Sequence, residues 1–350
     1  MRTISLLAGV VAIALANFGP GQGALADPAG QPVWCAGGAQ VTPDMRIAGC
    51  GAIISDGLET PQTIALAFLR RANAWEAKGD RERALADFSE SIRLNPSDAH
   101  AFNGRGAVQK DFGQAIADFD EAIRLDPSYA KAYYNRGVAW SGRGETDNAL
   151  SDFNEALAFG FADARLYHDR GAAWFAKGDM DKAIADYTQA LQLAPRLAQA
   201  SYGRGLAWYE KGDMDRAIAD YDDAIRANPD YGPALGARCW ARAIEGTDLG
   251  KALDDCNRAI ELDPGRGLHL GQRGIVFFRL GKFANTIADE TAALALDADN
   301  PDFLFAKGAA ESRLGRSQDG TADMGRARSL NPSVADQAAR WAVRSQNDAP

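Results

Sequence analysis

Residues 200–229 read ASYGRGLAWYEKGDMDRAIADYDDAIRANP, and seven other stretches of the chain repeat the same pattern. Each copy ends in a closing residue, which is proline in six of the eight copies. The closing residues are Pro96, Pro127, Phe161, Pro195, Pro229, Pro264, Ala298 and Pro332. Their successive spacings are 31, 34, 34, 34, 35, 34 and 34 residues. A nearly constant period of this length predicts an array of similar structural units.

The same residue types recur at fixed places in every copy. An Asp stands nine residues before each closing residue, and a small residue stands further upstream. The small residues are Ala72, Gly106, Gly137, Gly171, Gly205, Cys239, Gly274 and Gly308. Both halves of a copy have helical periodicity, and a glycine such as Gly212 separates them. The sequence therefore predicts two helices per copy, which approach closely where the small residue faces a large one such as Tyr221.

These positions resemble the pattern of the tetratricopeptide-repeat family, most clearly in residues 132–157 and 200–225. The whole chain looks like the signal-peptide-bearing tetratricopeptide-repeat proteins of Gram-negative bacteria. The resemblance implies an all-α fold, a right-handed α-solenoid of about eight helix-turn-helix units with an N-terminal orphan helix and a C-terminal capping helix. The expected boundaries are a signal peptide at 1–26, a loop and orphan helix at 27–62, the repeat domain at 63–334, and the capping helix and tail at 335–350.

The first 26 residues have the three-part plan of a secretory signal. Arg2 precedes an apolar run from Ile4 to Ala16, and we expect cleavage after Ala26. A membrane anchor is the weaker alternative, because the run covers 13 residues and a spanning helix needs about 20. We therefore expect a periplasmic or secreted protein with no membrane span after cleavage. The formal net charge of -9 argues against a nucleic-acid partner.

Four cysteines in an exported chain indicate two structural disulfides. Cys239 and Cys256 replace the small and the large residue that face each other in the other copies, so we expect a disulfide between them. Cys35 would then pair with Cys50 and hold the N-terminal loop against the orphan helix. The alternative is a pair of buried free thiols in the sixth copy.

A basic residue directly precedes each small residue, so a basic column accompanies the acidic one. The basic residues are Arg71, Arg105, Arg136, Arg170, Arg204, Arg238, Arg273 and Lys307, and the acidic ones are Asp87, Asp118, Asp152, Asp186, Asp220, Asp255, Asp289 and Asp323. We expect a ladder of ion pairs from repeat to repeat, because Arg offers bidentate geometry to a carboxylate. Two unrelated solvated stripes, or a basic stripe that binds a ligand, are the alternatives.

Catalytic chemistry has few candidates in this sequence. His100, His168 and His269 fall in different copies at different places, and no metal-binding or nucleophile motif accompanies them. We therefore expect a protein that is not an enzyme and that needs no metal and no cofactor.

The first helix of each copy leaves one stripe free of packing, and in the resembled family this stripe lines a concave groove. Here the stripe carries aromatic residues rather than Lys and Glu, which is typical of a protein-binding surface. The candidate groove residues are Arg165, His168, Phe175, Tyr202, Tyr209, Trp240, Phe278 and Phe305. Some of these aromatics could instead pack between neighbouring first helices.

Two copies depart locally from the common pattern. The second copy is three residues short between Gly106 and Ala115, and the seventh has Glu290 where most copies have an aromatic residue. Each departure is either drift at a tolerated place or a local change in the shape of the groove.

The sequence as a whole predicts an exported scaffold that binds a protein or peptide partner through this groove. The alternative is a structural component of the cell envelope that self-assembles through its repeat surface. Self-association without a partner distinguishes the second from the first.

Overall fold

The structure is a computed structural model that describes residues 33–38 and 40–342. The predicted signal peptide, its cleavage site at Ala26 and residues 343–350 lie outside the described residues, and the predicted domain boundaries stay predictions. The described residues form helices joined by short turns, without strands. The helices are α1 Val33–Ala36, α2 Pro43–Asp56, α3 Pro61–Ala77, α4 Arg81–Leu94, α5 Ala99–Val108, α6 Phe112–Leu125, α7 Ala130–Gly142, α8 Thr146–Ala158, α9 Ala164–Ala176, α10 Met180–Leu193, α11 Ala198–Glu210, α12 Met214–Ala227, α13 Gly232–Glu245, α14 Leu249–Leu262, α15 Gly267–Arg279, α16 Phe283–Leu296, α17 Pro301–Arg313, α18 Ser317–Leu330 and α19 Val334–Ala342.

Eight helix pairs, from α3 with α4 to α17 with α18, correspond to the eight sequence copies and are called repeats 1 to 8. Helix α2 precedes them and α19 follows them, so the all-α repeat fold predicted from the sequence is confirmed. The chain divides into two compact units, Met1–Ala132 and Tyr133–Pro350. Within the described part of the chain, every helix is too short or too polar to cross a bilayer.

In repeat 5 the turn between the two helices depends on a glycine and on the residue that follows it. Gly212 has a φ of 78°, a left-handed conformation that a residue with a Cβ adopts only at a cost. The following Asp213 caps α12, because its side chain accepts a hydrogen bond from the backbone N–H of Arg216. Glycine and capping Asp together end the first helix and start the second within three residues.

A glycine on the first helix and a ring on the second hold the two helices of a repeat close together. A Cβ added to Gly205 would lie 2.6 Å from the Tyr221 ring, and one added to Gly137 would lie 2.7 Å from the Phe153 ring. Such distances leave no room for a side chain. The small residues predicted to face large ones therefore do so in these repeats.

The basic and acidic columns form ion pairs, but these pairs join the two helices of one repeat. Arg170 donates through Nε and Nη2 to the two carboxylate oxygens of Asp186, at 2.8 and 2.7 Å. The other pairs are Arg71–Asp87, Arg105–Asp118, Arg136–Asp152, Arg204–Asp220, Arg238–Asp255, Arg273–Asp289 and Lys307–Asp323. The expectation that these ion pairs join one repeat to the next is therefore wrong.

The remaining guanidinium nitrogen supplies the link to the preceding repeat. Nη1 of Arg170 donates to Asn154 at 2.7 Å, and Nη1 of Arg204 donates to Thr188 at 3.2 Å. One planar side chain therefore bonds both to its own repeat and to the one before it.

Both disulfides have the pairing expected from the sequence. Cys239 on α13 is joined to Cys256 on α14, at a Cα–Cα distance of 5.6 Å, so a covalent bond replaces the glycine–ring contact of repeat 6. Cys35 on α1 is joined to Cys50 on α2, at a Cα–Cα distance of 4.6 Å. The second bond holds the short first helix against the helix that precedes the repeats.

Replacing Arg170 by Ala is expected to lower the free energy of unfolding by about 3 kcal/mol, because the buried Asp186 carboxylate loses its partner. Urea unfolding followed by far-UV circular dichroism measures the change. The control is Arg165→Ala on the same helix, whose side chain is 74% exposed. That substitution should change stability by less than about 0.5 kcal/mol. Equal midpoints for Arg170→Ala and wild type would show that the pair does not stabilise the repeat.

Replacing Cys239 and Cys256 together by Ala is expected to lower stability by roughly 3 kcal/mol, because the cross-link and its packing are both lost. The double variant Cys239→Gly with Cys256→Tyr restores the pair of residue types found in other repeats. It should recover part of the loss without any cross-link. Unfolding of both variants and of wild type is measured without reductant. As a control, the thiols of exported wild-type protein are titrated, and four free thiols there would contradict the pairing.

Candidate functional site

The candidate groove residues lie on one side of the first helices α9, α11, α13, α15 and α17. We call this side the first-helix face. At α9, Arg165 is exposed and pairs with Asp163 at 3.2 Å. His168 is partly buried, and its Nδ1 lies 2.9 Å from Asp169. Tyr134 on α7 donates its hydroxyl hydrogen to the same carboxylate at 2.8 Å. The structure therefore brings His168 into a small polar network that the sequence did not predict.

Phe175, at the end of α9, is partly buried, like the aromatic residues farther along the face. Its side chain packs against the cluster that contains Tyr187 and Ala207. Part of its surface is therefore used in packing, and the rest stays available to a partner.

Three aromatic side chains farther along form the centre of the first-helix face. Trp240 on α13 donates its indole N–H to the hydroxyl of Tyr209 on α11 at 2.8 Å. The Tyr202 ring lies 6.0 Å from Tyr221 and 5.5 Å, edge to face, from Tyr231. All three groove side chains remain partly exposed, and they line a cavity of about 170 Å³. We call Tyr202, Tyr209 and Trp240 the aromatic cluster.

The floor beside the aromatic cluster is polar and was missed by the sequence analysis. His269 on α15 is buried, and its Nδ1 lies 3.1 Å from the side-chain oxygen of Gln272. Burial lowers the pKa of His269, so the ring is neutral near neutral pH. A Cβ on Gly236 would lie 2.8 Å from the His269 ring, so glycine allows α13 and α15 to approach here. The sequence signal for this close approach was Gly236, a glycine where most other first helices have a larger residue.

Phe278 and Phe305 are not part of an open surface, which corrects the expectation for these two residues. Each is only 8% exposed, and their ring centroids lie 5.2 and 6.4 Å from that of Trp341 on α19. Helix α19 packs against α13, α15, α17 and α18. It therefore covers the first-helix face of the last repeats.

The physical reason is the apolar side of α19 itself. Val334, Ala338 and Trp341 recur at spacings of four and three residues, and all three are buried. A terminal helix with such a side lowers the free energy of the folded protein when it covers the nearest apolar surface. Here that surface includes Phe278 and Phe305.

The chemistry offered by this face is aromatic and hydrogen-bonding. Among residues 33–38 and 40–342, His, Cys, Asp and Glu side chains do not assemble into a group of three that could hold a metal ion. The aromatic cluster presents large apolar faces next to hydroxyl and indole groups. Such side chains suit contacts with another polypeptide.

Comparison with known proteins gives family matches to two parts of the chain. A family model described as "Tetratricopeptide repeat" matches residues 168–232, and one described as "TPR repeat" matches residues 109–140. A search of curated protein sequences gives no match.

Two solved structures share the fold at low sequence identity. One is the hetero-tetramer Cut9-Hcn1 of the APC/C, with 15% identity, a TM-score of 0.59, and coverage of 77% of this chain and 52% of that chain. Another is the pilF protein of Pseudomonas aeruginosa, with 15% identity, a TM-score of 0.54, and coverage of 60% of this chain and 97% of that chain. The two family matches place tetratricopeptide repeats at residues 109–140 and 168–232, and the structural likenesses show that the chain shares the fold of these solved structures.

Proposed function

We propose that the protein is an exported, non-enzymatic scaffold that binds a protein or peptide partner at the aromatic cluster. The observation that carries this proposal is the hydrogen bond from Trp240 to Tyr209, which holds two large, partly exposed aromatic side chains beside a cavity. A side chain held in this way loses little conformational freedom when a partner binds. The cluster is thus preorganised for binding.

The residue types of the cluster fit a polypeptide partner. Tyr and Trp bury large apolar areas and still offer one polar group, and they are enriched among residues that dominate binding energy. The formal net charge of -9 disfavours nucleic acid as the partner. A protein segment with apolar anchors and hydrogen-bonding groups suits this surface.

The proposal of export rests on two separate features. The N-terminal 26 residues have the plan of a secretory signal, and all four cysteines are paired in disulfides. Disulfides persist in the periplasm and outside the cell, where the cytosolic reducing systems do not act. We therefore place the protein in the periplasm or the extracellular medium.

Replacing Tyr209 and Trp240 together by Ala is expected to weaken partner binding by about 2 kcal/mol or more, because both anchors of the cluster are removed. Affinity capture from cell-envelope extract identifies the partner, and titration of that partner measures the change. Circular dichroism verifies that the double variant remains folded.

The matched control replaces two exposed aromatics outside the first-helix face, Phe112 and Phe159, by Ala. This variant should capture the same partner as wild type. If the Tyr209 and Trp240 variant also captures it with unchanged affinity, the aromatic cluster is not the binding site. Light scattering over a concentration series, without any partner, tests the alternative of self-assembly.

The exported protein is expected to begin at Asp27, because Ala24 and Ala26 supply the small residues that a signal peptidase needs. N-terminal sequencing of protein recovered from the periplasm or medium measures this. The control variant, Ala24→Asp with Ala26→Asp, should keep the signal attached. Wild-type protein found only in the cytoplasm would contradict export.

A further inference from the structure

A second cavity, of about 390 Å³, opens on the first-helix face beside the aromatic cluster. Its apolar walls come from four helices and include Trp240, Ile275, Phe303 and Trp341. Glu290, on α16, also lines it. The cavity lies wholly within the unit Tyr133–Pro350.

Glu290 occupies the place where other repeats have the ring that packs on a first-helix glycine. Tyr221 fills this place in repeat 5, against Gly205, and Glu290 lies in the same way against Gly274. A carboxyl group is smaller than a phenol ring, so the substitution leaves space beside α15 and α17. The departure noted in the sequence therefore coincides with a cavity.

The carboxyl group of Glu290 is fully buried, and neither of its oxygens has a hydrogen-bond partner within the described residues. Burial raises its pKa well above the ordinary value, and the neighbouring Asp289 and Asp302 carboxylates add to the increase. A buried polar group is normally hydrogen-bonded, because leaving it unpaired is costly. Glu290 thus lacks the partner that its position demands.

The acidic and aromatic side chains around Glu290 favour a positively charged partner. Asp302 and Glu210 also line the cavity, so three of its side chains are acidic. An anionic ligand would face these groups, and an inorganic cation would find too few ligands in this part of the chain. The walls are aromatic, and a cation placed over an aromatic face is attracted by it.

We propose that this cavity binds an organic cation, namely an ammonium or guanidinium group on an apolar stem, which bonds to Glu290. The positive charge of the ligand stabilises the ionised form of Glu290, whereas burial favours the neutral acid in the absence of a ligand. The cation comes either from a Lys or Arg side chain of a peptide or from a free amine. The first source deepens the proposed function and rests on it, because the cavity opens on the same face. The second does not depend on it.

Arg340 on α19 is expected to affect cation binding in the opposite direction to Glu290. Its exposed side chain lines the same cavity and carries the charge that the ligand also carries. A bound cation is therefore stabilised by Glu290 and opposed by Arg340. A purely apolar ligand would respond to neither charge.

The experiment titrates the full mature protein with n-butylammonium and agmatine, using n-butanol as the uncharged probe. Tryptophan fluorescence and ligand-observed NMR report binding, since Trp240 and Trp341 both line the cavity. The two cations are expected to bind and n-butanol is not. Glu290→Gln should weaken cation binding by roughly tenfold or more, because an amide of the same size cannot ionise to pair with the cation. Arg340→Gln should strengthen it by about threefold, because one like charge is removed.

A third variant, Glu290→Tyr, separates loss of the site from loss of the fold. It restores the ring found in repeat 5, so it should abolish cation binding while raising the unfolding temperature. Wild-type protein that binds neither cation would overturn the proposal. Equal affinities for wild type and Glu290→Gln would overturn it as well.

Two further ligands distinguish the sources of the cation. A short peptide with one Lys is compared with the same peptide carrying Ala, and both are compared with free cadaverine. Dependence on the Lys assigns a peptide side chain, whereas binding of cadaverine alone assigns a free amine. Capture of an envelope partner through Tyr209 and Trp240 is measured separately with Glu290→Gln. Retained capture by Glu290→Gln would rule out a peptide side chain as the cation. Capture by wild-type protein that binds neither cation would reject this inference and keep the proposed function.

Discussion

The structure depends on the contact between a small residue of the first helix and a large side chain of the second helix in the same repeat. The Gly205–Tyr221 contact leaves no space for a Cβ, so the two helices have one close arrangement. The ion pair of Arg204 with Asp220 lies next to this contact and joins the same two helices. A pair of helices held in this way still has uncovered apolar sides, and the neighbouring repeats cover them.

Repeats 6 and 7 are the places where this contact is replaced by other chemistry. In repeat 6 a disulfide between Cys239 and Cys256 joins the two positions, and in repeat 7 the buried Glu290 lies against Gly274. Trp240 follows Cys239 directly and lines both cavities of the first-helix face. The covalent bond holds the helix that carries Trp240, while the carboxyl group leaves room for a ligand beside it. The proposed functional surface thus lies beside the two repeats in which the glycine–ring contact is replaced.

The last helix decides how much of the first-helix face is open. A terminal repeat must cover its apolar surface, and α19 does so with Val334, Ala338 and Trp341. The same packing buries Phe278 and Phe305 and brings Arg340 to the rim of the larger cavity. Capping and the shape of the binding surface are therefore determined by one short helix.

The sequence by itself determined the helix pairs, the glycine turns and the glycine–ring contacts, and it predicted the pairing of the four cysteines that the structure shows. These features depend on residues that recur at fixed spacing within one repeat. Only the tertiary structure decided that Arg170 pairs within its own repeat, that Trp341 covers Phe278, and that Glu290 has no hydrogen-bond partner among the described residues. The physical reason is that helical periodicity shows which side of a helix is apolar, and not which distant segment covers that side. Which segment covers that side is decided by packing between residues far apart in the chain.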